Sequence, residues 1–396
     1  MMNTWMSWKF SQKRKENKMT STLNLSEILG TCTIAFKQRV ANLIQFGNKG
    51  RLLMVRKNET LENNFRVTEF KSAILELDNS YSSKSYSEIE DTEKRSKAIK
   101  QNVQDLETKI KQALKYSPTK LILFEYKDTF AGVVEELEKL KFDWVFSLEE
   151  TDQDSVVSYA KENEVFGLVY NKTADLKWVV SVNNPSAKLA DGVTIKGSNN
   201  ITGLDLLPIV AGLCAGCPYD MSVTGYTLSE LEEVHMPEIV KGQLTLYNEE
   251  EGVRVASPVN TLMTLNTNNT EDMKDICVME GIKRFDTDVK YSFRTGYKGK
   301  YKNKYDNQQL FISACKGYIK DLVKADILDD EYENTVAIDT NRLRELWIAS
   351  GKDEDEMNAM SDLEVSKLAY KKVMALKFDV KFLNAIESCE IEVEMY

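Results

Sequence analysis

Between Lys120 and Tyr170 the chain alternates two kinds of pattern, and nothing else in it constrains the fold as tightly. Lys120–Tyr126 (K-L-I-L-F-E-Y), Phe142–Leu148 (F-D-W-V-F-S-L) and Val165–Tyr170 (V-F-G-L-V-Y) are apolar runs without polar alternation. Between them, Phe130–Leu140 sets Val133, Val134, Leu137 and Leu140 on one helical face, and Asp154–Glu162 reads as a second helix. Strands that are apolar on both faces and separated by helices imply a parallel sheet covered on both sides. Upstream, G-R-L-L-M-V-R (50–56) is strand-like, with Gly47 and Gly50 marking a turn. A polar stretch from Ser80 to Ser87 then precedes an amphipathic helix of about five turns, built on Ile99, Val103, Leu106, Ile110 and Leu114 and ended by Pro118. Downstream, Ile201–Gly216 predicts an apolar helix and Gln243–Leu265 a hairpin turning at N-E-E-E-G. A third region begins near Asn266, with helices expected at Asp306–Lys324, Asn341–Ala349 and Ser361–Tyr370. The expected class is α/β with a largely parallel sheet, followed by an α+β C-terminal domain.

The C-terminus carries a different signal. In C-E-I-E-V-E-M-Y (389–396), Ile391, Val393 and Met395 alternate with Glu390, Glu392 and Glu394, the period of a half-buried strand. A second strand-like run, Lys372–Leu383, precedes it across the short link Asn384–Ser388. Two readings follow: the runs pair as a terminal hairpin, or the last strand is added to a sheet of another subunit. Near the other end, T-C-T-I-A-F (31–36) alternates in the same way through Thr33, Ile34 and Phe36.

Composition removes several classes of function. A chain of 396 residues has room for two or three domains, and 42% hydrophobic with 29% charged residues is a globular composition. A net charge of −10 disfavours broad contact with a nucleic-acid backbone. No apolar run approaches the ~18 residues that span a bilayer, so no membrane insertion is expected. The first residues carry Lys9, Lys13, Arg14, Lys15 and Lys18 but no apolar signal-peptide core, which predicts a disordered leader; Met19 stands as an alternative start. The cysteines at 32, 214, 217, 277, 315 and 389 are scattered, as suits free thiols in a reducing compartment. His235 is the one histidine.

Three segments invite a chemical reading. Cys214-Ala-Gly-Cys217 is a CxxC, yet no second ligand pair accompanies it and nothing basic adjoins it to favour a thiolate; small residues packing a helix end, stopped by Pro218, explain it as well. His235, in E-E-V-H-M-P, has no G-x-S-x-G nucleophile to serve and reads as a surface residue. Tyr291–Tyr305 interleaves aromatics with Arg294, Lys298, Lys300, Lys302 and Lys304. That spacing suits base stacking in a nucleic-acid-binding module, an acidic protein surface, or a solvated loop. No phosphate loop is present, and neither a cofactor nor a metal is expected.

Taken in order, several segments resemble the contractile-tail sheath proteins of phages and phage-like bacteriocins, especially the short clostridial type. V-A-G-L-C-A-G-C-P-Y-D-M-S-V-T-G-Y-T (210–227) is similar to the family's V-A-G-L-x-A-G-T-P-x-x-x-S-x-T-Y, with Cys214 and Cys217 where Ile and Thr are usual. G-V-R-V-A-S-P-V-N-T-L (252–262) resembles its stretch ending R-x-x-N-S-L, and Y-K-G-K-Y-K-N-K-Y-D-N-Q-Q-L (297–310) its Y-I-G-K-x-x-N-x-Y-D-N-K-x-L. L-K-F-D-V-K-F-L-N-A-I-E-S-C-E-I-E-V (376–393) resembles K-x-K-x-L-D-A-M-E-D-x-x-x-x-I. The resemblance implies a non-enzymatic virion subunit assembled in the bacterial host cytoplasm, forming hexameric rings stacked helically by strand exchange. Its implied partners are itself, the tail tube, and baseplate and tail terminator proteins, with no direct nucleic acid. Contraction would drive the tube through the target envelope. Some sheath proteins contain a fold called subtilisin-like; the lone His235 in acidic surroundings implies no protease here. The organisation expected is a leader at 1–30, an N-terminal arm at 31–48, an α/β sheath domain at 49–265, an α+β domain at 266–385 and a C-terminal strand arm at 386–396. Ile391, Val393, Met395, Thr33, Ile34 and Phe36 are the expected self-association residues, and Lys298, Lys300, Lys302 and Lys304 the expected contacts to the tube or a neighbour.

Overall fold

The strand β1 (Arg51–Lys57) lies at the centre of a six-stranded sheet that dictates most of the architecture. The computed structural model describes residues 50–392 except Ile74 and Ile239. They divide into two compact units, residues 50–285 with 382–392, and residues 286–381.

In the larger unit, β1 is joined by β2 (Phe65–Phe70), β3 (Lys120–Tyr126), β4 (Trp144–Ser147), β5 (Phe166–Tyr170) and β6 (Val179–Val182) in the order β2-β3-β1-β4-β5-β6. All neighbours run parallel except β2, which pairs antiparallel with β3 from Phe65↔Tyr126 to Phe70↔Leu121. The expected parallel sheet is therefore present, with one antiparallel edge added. Because side chains alternate across a strand, β1 and β3 feed two cores. Leu52, Met54, Leu121 and Leu123 face one, with the helices α1 (Thr92–Leu114) and, later in the chain, Leu207–Gly216. Leu53, Val55, Ile122 and Phe124 face the other, with Val156 and Tyr159 of α2 (Gln153–Asn163). Each such apolar side chain contributes about 1.5–3 kcal/mol on burial.

Helix α3 (Leu207–Gly216) is buried at every position, because it crosses α1 at very close range. A Cβ on Gly212 would stand 2.5 Å from the Ala113 carbonyl oxygen, and one on Gly216 would collide with the Tyr116 carbonyl. The predicted helix from Ile201 begins late. Asn200–Thr202 instead forms β8 against β7 (Ser186–Leu189), and a 3-10 turn over Gly203–Leu206 leads into α3. Strand β9 (Leu231–Val234) completes that three-stranded sheet. The predicted hairpin is present as β10 (Leu246–Glu249) and β11 (Gly252–Val255). Phe130–Leu140 yields only a 3-10 turn and the single helical turn Val134–Leu137.

Helix α4 (Ile276–Ser292), which the sequence reading missed, carries the chain across the division at Phe285. The smaller unit holds α5 (Tyr305–Lys324), β12 (Thr335–Ile338), α6 (Thr340–Ala349), α7 (Glu354–Ala359), α8 (Asp362–Lys367) and β13 (Leu376–Asp379). Helix α6 starts where Asp339 accepts from the Arg342 N–H, and α8 starts on a capping box between Ser361 and Glu364.

Candidate assembly surfaces

Strand β13 pairs antiparallel with β12, from Thr335↔Asp379 to Ile338↔Leu376. β13 thus pairs with β12 rather than with the described part, 389–392, of the last run, whose remaining residues lie outside the described ones. β12 (T-V-A-I) has its own alternation, burying Val336 and Ile338, and it takes the partner the hairpin needed. This ribbon has two strands, and neither outer edge meets a further strand among the described residues.

Residues 380–392 contain no regular strand. From Phe382 onward they belong to the larger unit, which holds them at three points. The Phe382 ring meets Phe285 edge-on at 6.2 Å. The Asn384 side chain lies beside the Asp275 carboxylate and helps hold its charge. Glu387 accepts from the hydroxyls of Ser222 (2.8 Å) and Thr224 (3.2 Å). Burial, with the Glu387 charge adding to it, pushes the Asp275 carboxyl up to about 6. Ile386 and Ile391 are 95% and 80% exposed, an unusual position for isoleucine. Val393 and Met395 lie outside the described residues, as do Thr33, Ile34 and Phe36.

The basic segment is more ordered than a solvated loop. It opens with a π-helical turn at Phe293–Tyr297, closed by the Lys298 N–H donating to the Phe293 carbonyl at 2.9 Å. Buried Tyr297 anchors it, its ring 4.6 Å from Phe311 and 5.3 Å from Tyr301, so this tyrosine is not free to stack a base. Lys298, Lys300, Lys302 and Lys304 are all exposed. Lys300 donates to the Thr295 carbonyl and Lys304 pairs with Asp306 at 3.2 Å. Asn303, between these lysines, reaches the carbonyls of Tyr370, Lys371 and Val373 at 3.3, 3.3 and 3.0 Å. It thereby brings exposed Lys371 beside the loop. The sequence held this residue inside a quoted motif, but a lone asparagine among lysines gives no sign of which backbone it ties down.

The two chemical candidates have ordinary structural surroundings. Cys214 is fully buried, and burial pushes its thiol well above the usual range, away from the reactive thiolate. Cys217 is 3% exposed, at the end of α3. His235 is exposed; its N–H donates to the Ser186 carbonyl at 3.0 Å and its carbonyl accepts from Asn184. Among the described residues no group of three or more His, Cys, Asp or Glu is placed to hold a metal. None of their helices is long and apolar enough to cross a membrane.

Sequence and fold comparisons agree on a class. Residues 268–395 match the family described as the phage tail sheath C-terminal domain. The tail sheath protein of Clostridium phage phiCD119 is 24% identical over 295 residues, covering 70% of this chain and 79% of that protein. In fold, the chain is similar to the sheath tail protein of Desulfitobacterium hafniense, with a TM-score of 0.57 at 15% identity, over 74% of this chain and 91% of that one. The sheath tail protein of Listeria innocua gives 0.55 at 12%, over 78% and 93%. A chain of the anti-feeding prophage baseplate gives 0.57 at 11%, over 87% and 92%. The class is that of the tail sheath fold. Residues 268–395 thus match the phage tail sheath C-terminal domain, and the chain as a whole is similar in sequence to a phage tail sheath protein and in fold to sheath tail proteins.

Proposed function

We propose that this chain forms hexameric rings, stacked helically around a tail tube, and that their contraction drives the tube through the target cell envelope. Assembly takes place in the host cytoplasm, between baseplate and tail terminator proteins. The reading rests chiefly on the β12–β13 ribbon, whose two outer edges meet no further strand among the described residues. A two-stranded ribbon is marginal alone and gains from a third strand. The alternating run Ile391, Val393, Met395 is the strand that would be supplied by a neighbour, and Thr33, Ile34 and Phe36 form the matching arm. A donated strand adds about 4–6 ladder hydrogen bonds at ~0.5–1.5 kcal/mol each. Burying its three apolar side chains adds ~1.5–3 kcal/mol apiece. Such a link is modest singly and persistent when repeated through a lattice. Arms at 31–48 and 386–396 leave the bodies between them free to rotate as rigid units.

The basic loop provides the grip on the tube or on an adjacent subunit. Exposed Lys298, Lys300, Lys302 and Lys304 form a local positive surface on a chain of net charge −10. Salt-screened ion pairs hold in the extended state and release on firing. Electron microscopy of the purified protein tests the reading: rings or tubes are expected. A protein that stays a monodisperse monomer over a wide range of concentration and salt would contradict it.

A further inference from the structure

Three carboxyl side chains of the larger unit gather around the start of α4, and the cations nearest to them are engaged elsewhere. Asp275 opens the helix, accepting from the Cys277 N–H at 2.8 Å. Glu387 accepts from the hydroxyls of Ser222 and Thr224, and Glu280 accepts from the Trp144 indole N–H. Cys277 lies among them. Its thiol reaches the Tyr219 carbonyl at 3.8 Å, three residues before Ser222, and it feels the charges of Glu280, Asp275, Glu387 and Asp220. Of the cations, Arg51 is paired with Asp143 at 2.8 Å and Lys274 with Glu271 at 2.9 Å, while Arg284 lies over the Tyr219 ring.

We propose that this cluster is a proton-operated clasp for the C-terminal segment: a proton on Asp275 lets Glu387 stay seated on Ser222 and Thr224, and its loss as pH rises loosens the segment. Like charges brought together disfavour the ionised form of either group. Burial is the first cause that pushes the Asp275 carboxyl from its ordinary 3.8 up to about 6, and the Glu387 charge adds to it. Only what the segment itself brings is coupled to its seating. Glu387 raises the carboxyl, and Asn384, the smaller influence, lowers it. A seated segment therefore makes Asp275 hold its proton more tightly than a released one. By linkage, seating is favoured where that proton is bound and weakens as pH rises through about 6. Asp143 and Asp275 bear in turn on Glu280, which stays within α4 and does not touch the segment's hydroxyl partners. The clasp belongs to the single chain and does not rest on the sheath reading.

Hydrogen-exchange mass spectrometry on the full chain, at a concentration where it sediments as a monomer, reads the seating at pH 5.5, 6.5 and 7.5 once rates are corrected for the intrinsic pH dependence of exchange. Protection across 384–388 is expected to fall about fivefold over this range. Asp275→Asn keeps an acceptor for the Cys277 N–H and cannot ionise, so its protection should be flat and match the parent's at pH 5.5. Should that variant fail to fold, Glu387→Gln removes the second charge, keeps an acceptor for both hydroxyls and should be flat as well. Glu280→Gln should retain the parent's slope. Equal protection at all three pH values, a slope that survives in the folded Asp275 or Glu387 variant, or a slope lost in Glu280→Gln would overturn the clasp. Tube formation is scored separately, so failure here leaves the sheath reading standing.

Discussion

Glu387 and Ser222 stand 165 residues apart in the chain and share a hydrogen bond of 2.8 Å. Thr224 adds a second hydroxyl to the same carboxylate oxygen. Together with Phe382 on Phe285, this pair fixes the base of the C-terminal segment. Glu387→Ala is expected to raise amide exchange across 384–391 by about tenfold, the equivalent of ~1.4 kcal/mol. Exchange in β12 and β13 should stay unchanged. Hydrogen-exchange mass spectrometry checks both halves of the expectation.

Beneath the sheet, the Trp144 indole N–H donates to the buried Glu280 carboxyl at 2.8 Å. Burial is the main cause that pushes this carboxyl from its ordinary 4.5 up to about 8, with Asp143 and Asp275 adding to it. The folded state then binds more protons than the unfolded one between about pH 4.5 and 8. Stability from this group is full below that window and falls as pH rises through it. Glu280→Gln keeps an acceptor for Trp144 and removes the titration. Denaturant unfolding at pH 5, 6.5 and 8 should show the variant gaining on the parent as pH rises.

The α1–α3 crossing predicts a sharp dependence on glycine. Gly212→Ala or Gly216→Ala forces a methyl group against the Ala113 or Tyr116 carbonyl, which helix backbones cannot vacate cheaply. A loss of about 1–3 kcal/mol is expected from each. Gly192→Ala meets no atom within 4 Å, although its positive φ brings backbone strain of its own. Calorimetry on the three variants should therefore leave Gly192→Ala the least affected.

Much of the fold was legible because its strands are apolar on both faces. Lys120–Tyr126 is found with the predicted bounds, and α2 begins one residue early. The antiparallel edge β2 escaped notice: its F-R-V-T-E-F has exposed Phe65 and Val67, so no continuous apolar run marks it. Helix α4 was hidden because it mixes buried Ile276, Val278 and Met279 with a charged remainder. The candidate assembly surfaces were legible only as patterns. The lysines of 298–304 were visible in the sequence, but Asn303 joins residues nearly seventy positions apart, which spacing does not reveal. The same limit hid Glu387 with Ser222.

Asn303 also separates fold from charge in the basic loop. Asn303→Ala removes its links to the 370–373 backbone and is expected to cost about 1–3 kcal/mol. Replacing Lys298, Lys300, Lys302 and Lys304 with Glu should leave the melting temperature within a few degrees of the parent. It should, however, lower the number of extended particles and favour empty contracted sheaths, most visibly at low salt. Particle counts by electron microscopy at two salt concentrations check this.

We propose that the chain polymerises by donating its last strand. Truncation after Cys389 removes Ile391, Val393 and Met395 while retaining Glu387 and its hold on Ser222. The truncated protein should be folded, with the parent's circular dichroism, and should sediment as a monomer under conditions in which the full chain forms tubes. Tubes of normal diameter and yield from the truncated protein would contradict the account.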